Sequence, residues 1–156
     1  MTTLSKARAL ALLIPVGLLA GAWGSQLIGG LYPCEMCHWQ RWPHYAALVL
    51  ALLAFVPVLP TRLLVALAAI AIAVSGAIGV AHAGVEYHWW HGFTACTKTV
   101  GSGPITIDDL MKAPIVRCDQ PQWTLFGISL AGFNAIISLT GAVAILYFLA
   151  KRDRAR

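Results

Sequence analysis

The amino-acid sequence predicts an all-α integral membrane protein: a four-helix transmembrane bundle with a long extracytoplasmic loop between helices 3 and 4. Composition is the first sign, since 59% of the 156 residues are hydrophobic, only 11% are charged, and the mean hydropathy is +0.75. A soluble core with a charged skin does not have that balance. The second sign is the spacing of charge. No Asp, Glu, Lys or Arg falls between Arg8 and Glu35, Arg41 and Arg62, Arg62 and Glu86, or Asp119 and Lys151. Each interval holds the roughly 20 apolar residues that cross a hydrocarbon core of about 30 Å. Third, the basic residues behind the net charge of +5 sit at the ends of apolar runs. They act there as topology signals and form no patch that would suit nucleic acid.

By length the chain, 1–156, is one membrane domain. Helices are expected near Ala9–Ile28, Pro43–Leu59, Leu63–Ala83 and Gly127–Leu149, with a periplasmic loop over about 84–122. The first begins like a signal peptide, with Lys6 and Arg8 ahead of Ala20-Gly21-Ala22. Its apolar run continues to Ile28, longer than the usual signal core, so it reads as a retained span. The second is the shortest, about 25 Å at 1.5 Å per residue. Pro57 and Pro60 force the tight turn after it. On the third, Ser75, Gly79 and Ala83 recur every fourth position, a stripe suited to close helix contact. In the long loop, Thr106-Ile107-Asp108-Asp109 reads as a short helix start capped by Thr106, with Ile107, Leu110 and Met111 on an apolar face until Pro114. Such an element lies along a membrane surface.

Seven basic residues (Lys6, Arg8, Arg62, Lys151, Arg152, Arg154, Arg156) fall on one side of this layout. Four (Arg41, Lys98, Lys112, Arg117) fall on the other. The positive-inside rule then places both termini in the cytoplasm. Trp39, Trp42, Trp89, Trp90 and Trp123 form an aromatic belt at the opposite interface. All four cysteines come to the extracytoplasmic, oxidising side.

Two dithiol pairs beside a lipid phase suggest electrons passing between protein thiols and a lipid-soluble acceptor. Cys34-Glu35-Met36-Cys37 has the spacing at which two thiols on a first helical turn close a disulfide. A thiolate there meets the positive end of the helix dipole. Arg41 follows Cys37 by four residues, so it shares a helical face and can stabilise a thiolate or polarise an acceptor carbonyl. Alternatively it is an interfacial anchor. Cys96 and Cys118 enclose 21 residues. Alone they would make a stabilising staple worth roughly 3 kcal/mol, but beside a second pair they suit a relay. No metal is expected, since a four-cysteine zinc site wants a second closely spaced pair. Of the five histidines only His44 and His82 approach the matched depth a bis-histidine haem requires, and no haem is expected. Glu86 ends the third helix, as a proton relay or as a cap.

Pro33-Cys34-Glu35-Met36-Cys37-His38-Trp39-Gln40-Arg41, four spans, a second cysteine pair in the outer loop, and Pro121-Gln122-Trp123-Thr124-Leu125-Phe126-Gly127 before the last helix resemble the DsbB family. That resemblance covers nearly the whole chain. It implies a protein-dithiol:quinone oxidoreductase of the bacterial inner membrane that reoxidises a DsbA-like periplasmic thioredoxin-fold protein and passes electrons to ubiquinone or menaquinone. It also implies a role for each matching residue. Cys96 takes the mixed disulfide with the partner, and Cys118 resolves it and exchanges with Cys34. Cys37 faces the quinone, with Arg41 near the same ring. Glu86 falls about where the family often carries a histidine, and whether Glu86 or His88 substitutes stays open. The loop between Cys96 and Cys118 looks short for the family. A vitamin-K-epoxide-reductase-like enzyme has its quinone-proximal pair late in the chain, unlike this sequence. A non-catalytic membrane assembly protein with two structural disulfides is the alternative of a different class.

Overall fold

The computed structural model describes residues 2–94, 96 and 116–151. The Thr106–Asp109 helix start, Lys98, Lys112 and the basic tail from Arg152 onward lie outside them.

Side-chain caps decide where three of the four helices among the described residues begin. Helix α1, Thr3–Leu27, starts where Thr2 Oγ1 accepts the Ser5 N–H at 3.1 Å. Helix α2, Glu35–Leu53, is capped by sulfur: Cys34 Sγ accepts the Cys37 N–H at 3.3 Å. Glu35 in its first turn complements the helix dipole. Helix α3, Thr61–Glu86, follows Pro60 without a side-chain cap bond. Helix α4, Leu130–Ala150, begins at Ser129, whose Oγ accepts the Gly132 N–H at 3.1 Å.

The second helix differs most from the interval that its hydropathy suggests. It starts eight residues ahead of Pro43 and carries that proline inside, then stops at Leu53, ahead of Leu59. Charge-free intervals locate apolar segments, whereas caps locate helix ends, and Arg41 does not interrupt a helix whose Cys34 cap lies upstream. Helices α1, α3 and α4 are each long and apolar enough to cross a membrane. Helix α2, with 19 residues, is about 28 Å long.

Helix α3 packs against both α2 and α4, while α1 closes the bundle against α4 and α2. At one end the contact is made largely by alanines, including Ala7, Ala11, Ala47, Ala51 and Ala68, which let backbones approach closely. The Ser75, Gly79, Ala83 stripe is buried. A Cβ on Gly79 would sit 3.0 Å from both the Ala131 carbonyl oxygen and the Ala135 nitrogen, so α4 rests directly on that glycine.

Helix α3 ends in a double C-terminal lock. The Trp89 N–H bonds the Gly84 carbonyl at 2.8 Å and the His88 N–H bonds Val85 at 3.1 Å. His88 adopts a left-handed φ of 57° between them. Trp90 then folds back over Gly84, its Nε1 donating to Ala81 O at 3.1 Å. Ahead of α4, strands β1 (Thr124–Leu125) and β2 (Ile128–Ser129) pair antiparallel. Their two-residue turn has positive φ at Phe126 (52°) and Gly127 (77°), the primed geometry that matches strand twist. Tyr87 straps this hairpin to α3, donating to Gly127 O at 2.8 Å and accepting from Ser129 N at 2.7 Å.

Gly79→Val forces α3 and α4 apart. The expected outcome is a destabilisation of about 1–3 kcal/mol, read as a lower thermal midpoint in detergent with helix content retained.

Candidate active site

The sulfur that caps α2 lies at the meeting point of the loop, α2 and α3. Cys34 Sγ and Cys37 Sγ are 3.0 Å apart, with Cys34 donating, and both are free thiols. That hydrogen bond and burial push the Cys34 thiol well above its ordinary range. The second pair, Cys96 and Cys118, is joined as a disulfide with Cα atoms 5.4 Å apart. Cys118 is fully buried, and the two pairs pack into one cluster with Met36 and Val85. Beside it, the Arg117 guanidinium holds the Asp119 carboxyl below the usual carboxylate range.

A cavity of about 190 Å³ opens beside the dithiol. Its wall includes Cys34, Cys37, Arg41 and His44 of the α2 side, Ala22 of α1 and Phe133 of α4. Cys37, Arg41 and His44 are spaced i, i+4, i+7, one face of the helix. Arg41 is buried and anchored on α1, donating to Gln26 Oε1 at 2.8 Å and Ala22 O at 3.0 Å, with its guanidinium 5.3 Å from the Trp23 ring centre. Gly17 and Gly21 leave α1 without side chains on the same wall, and a Cβ there would meet nothing within 4 Å.

Along the cavity wall the helices are joined by polar side chains. Asn134 Nδ2 donates to Gln40 Oε1 at 2.8 Å and to Ser75 O at 3.1 Å. His44 Nε2 lies 2.9 Å from Asn134 Oδ1, to which Ser138 also donates at 2.9 Å. Gln40 Nε2 reaches His82 Nδ1 at 2.8 Å, and His82 Nε2 lies 3.6 Å from both Cys34 Sγ and Glu86 Oε1. Glu86 accepts a hydrogen bond from Ser129 Oγ. Cys34, Cys37 and His82 hold their ligand atoms within 4.8 Å of one another. With Gln40 on Nδ1, however, the His82 Nε2 carries the proton and is a donor, not a metal ligand.

Comparison with known proteins decides what this arrangement belongs to. The family profile described as disulfide bond formation protein DsbB matches residues 5–148. The chain belongs to the DsbB family. A curated relative, disulfide bond formation protein B 1 of Pseudomonas fluorescens (strain Pf0-1), is 31% identical over 156 aligned residues, covering 91% of this chain and 86% of that one. No solved structure matches. Membership makes the chain a membrane protein of disulfide bond formation, and the vitamin-K-epoxide-reductase-like alternative gives way to it.

In this DsbB family member the structure gathers Cys34, Cys37, Cys96, Cys118, Arg41 and Glu86 at one end of the bundle. His88 instead occupies the left-handed turn after α3 and serves its C-terminus. Gln40, which the Pro33–Arg41 motif contains without a role, His82, weighed only as a haem ligand, and Asn134 are the polar residues whose part here the sequence reading does not find. Their signal in sequence is a pair of polar i, i+4 spacings inside apolar helices, Gln40/His44 and Asn134/Ser138. Intramembrane polar residues of that kind mark function or packing. Replacing Asn134 with Leu strips partners from Gln40, His44 and Ser75 together. The expected loss is about 1–2 kcal/mol in membrane-like surroundings, measured as a lower midpoint of thermal unfolding in detergent.

Proposed function

We propose that the chain is a protein-dithiol:quinone oxidoreductase that reoxidises a DsbA-like thioredoxin-fold protein. One observation carries the reading: the Cys34–Cys37 pair packs in one cluster with the loop disulfide and also lines a mostly apolar cavity. α2 completes four spans with α1, α3 and α4. The chain sits in the bacterial inner membrane with both termini cytoplasmic, and its cysteines face the periplasm.

The sulfur steps balance. A partner thiolate attacks Cys96, breaking the Cys96–Cys118 bond and freeing Cys118 as a thiolate. The partner's second thiol displaces Cys96 and leaves with a disulfide, two electrons and two protons poorer. Cys118 attacks Cys34 of an oxidised Cys34–Cys37 pair, and Cys37 departs as a thiolate toward the cavity. Cys96 then closes on Cys118 and releases Cys34. The Cys34–Cys37 dithiol now holds the electron pair.

A ubiquinone or menaquinone ring, when bound, supplies the two-electron, two-proton acceptor. The cavity suits such a ring: a pocket of about 150 Å³ already holds benzene, and this one is about 190 Å³ with mostly apolar walls. Arg41, fixed by Gln26 and the Ala22 carbonyl, aligns a permanent positive charge with Cys37 along the α2 face. That charge stabilises a Cys37 thiolate and orients an acceptor oxygen. Glu86, on the same wall and held by Ser129, is the carboxylate through which protons reach the cavity.

Purified protein in detergent with a reduced DsbA-like partner is expected to bleach a short-chain ubiquinone, and Cys37→Ser to abolish the reaction. Gly21→Leu, which fills the cavity from α1, is expected to raise the quinone KM at least about tenfold with the thermal midpoint unchanged. Absence of quinone reduction with a competent partner contradicts the proposal.

A further inference from the structure

Backbone carbonyls fix the orientation of two buried amides. Asn134 Nδ2 lies 3.1 Å from the Ser75 carbonyl oxygen, which can only accept, so its own oxygen faces His44 and Ser138. Gln40 Nε2 lies 3.3 Å from the Met36 carbonyl oxygen, so the Gln40 oxygen is what receives Asn134 Nδ2. The Gln40 nitrogen that faces Met36 also faces His82 Nδ1, at 2.8 Å. An amide nitrogen has no lone pair to offer, so Nδ1 accepts and the proton of neutral His82 resides on Nε2. That N–H lies 3.6 Å from Cys34 Sγ, with Glu86 Oε1 at the same 3.6 Å and the Cys118 backbone carbonyl also facing it, in a side chain only 2% exposed.

We infer that His82 is a catalytic residue of thiol–disulfide exchange: a tautomer-locked, neutral N–H donor that holds the Cys34 sulfur as a thiolate whenever that sulfur is released. This rests on the relay proposed above. In the release step the Cys96 thiolate forms a bond to Cys118 as the Cys118–Cys34 bond breaks, and the electron pair of that bond goes to Cys34 Sγ. His82 Nε2–H meets the new charge and keeps its proton. Protonating Nδ1 would set two N–H donors against each other across the Gln40 contact, so His82 works as a donor, not as a proton carrier. The need is physical, because a buried thiol is a poor leaving group unless its charge is met. The other titratable groups around Cys34 are Cys37 and Arg41 from α2, Glu86 from α3 and Arg117 from the loop.

The test uses the full chain in detergent, Cys37→Ser, with neither partner nor quinone, so its outcome is independent of whether the protein reduces quinone. The rate of Cys34 alkylation by iodoacetamide is followed against pH. His82→Phe is expected to move the Cys34 titration up by about one unit and to slow alkylation at neutral pH about tenfold. His82→Gln, whose amide nitrogen reaches the place of Nε2, is expected to keep the titration of the parent. An unchanged titration in the phenylalanine variant overturns the inference, as does a glutamine variant no better than phenylalanine. In the unsubstituted protein labelled with ¹⁵N-histidine, the proton on His82 is expected at Nε2, with Nδ1 as the bare, hydrogen-bonded nitrogen. The opposite tautomer overturns the inference whether or not any variant folds.

Discussion

Disulfide exchange requires sulfur to meet sulfur, and the contact between the loop disulfide and the start of α2 is what the rest of this structure serves. Cys118 is fully buried against Cys34, Met36 and Val85, so residues from a long loop, α2 and α3 share one small core. Local chemistry brings them there. Cys34 caps α2 with its own sulfur, which fixes the reactive atom at the first turn of the helix, where the dipole favours negative charge. The lock at the end of α3 and the Tyr87 strap to the hairpin before α4 keep the loop's two roots beside that turn.

The same dithiol borders a second kind of environment. Residues of α1, α2, α4 and the loop, Arg117 and Trp123 among them, line the cavity, whose surface is mostly apolar although several polar side chains border it. Arg41 reaches it by way of α1, with its charge spread over hydrogen bonds and the Trp23 face. His44 and His82 are tied together through Asn134 and Gln40. Polar side chains in an apolar bundle are tolerated when each finds a partner, and once satisfied they also fix orientation. Here the orientation fixed is that of an imidazole facing a sulfur.

Much of this was legible in the amino-acid sequence, for definite reasons. Apolar intervals without charge betray helices long enough for a membrane, and Cys34-x-x-Cys37 before one of them betrays a dithiol. Arg41 sits four residues from Cys37, and that spacing alone puts it on the same wall. The start of α2 was harder to see, because a cysteine cap is not a usual signal and Pro43 looks like a beginning when it lies within the helix. The Gln40–His82–Asn134 connection was not visible at all. Its members lie 42 and 94 residues apart in the pairs that bond, and only helix packing brings them together. A histidine in an apolar helix says that a partner exists without saying which. His88 shows the reverse: close in sequence to Glu86 and an attractive substitute for it, it is used instead to end α3.

The proposed relay depends on direct exchange between Cys34 and Cys118. In a Cys37→Ser, Cys96→Ser double variant, these two sulfurs are the only thiols left. Mild oxidation of the detergent-solubilised monomer followed by proteolysis and mass spectrometry is expected to yield an intramolecular Cys34–Cys118 disulfide in most of the protein. Recovery of both cysteines as free thiols from folded monomer would contradict it.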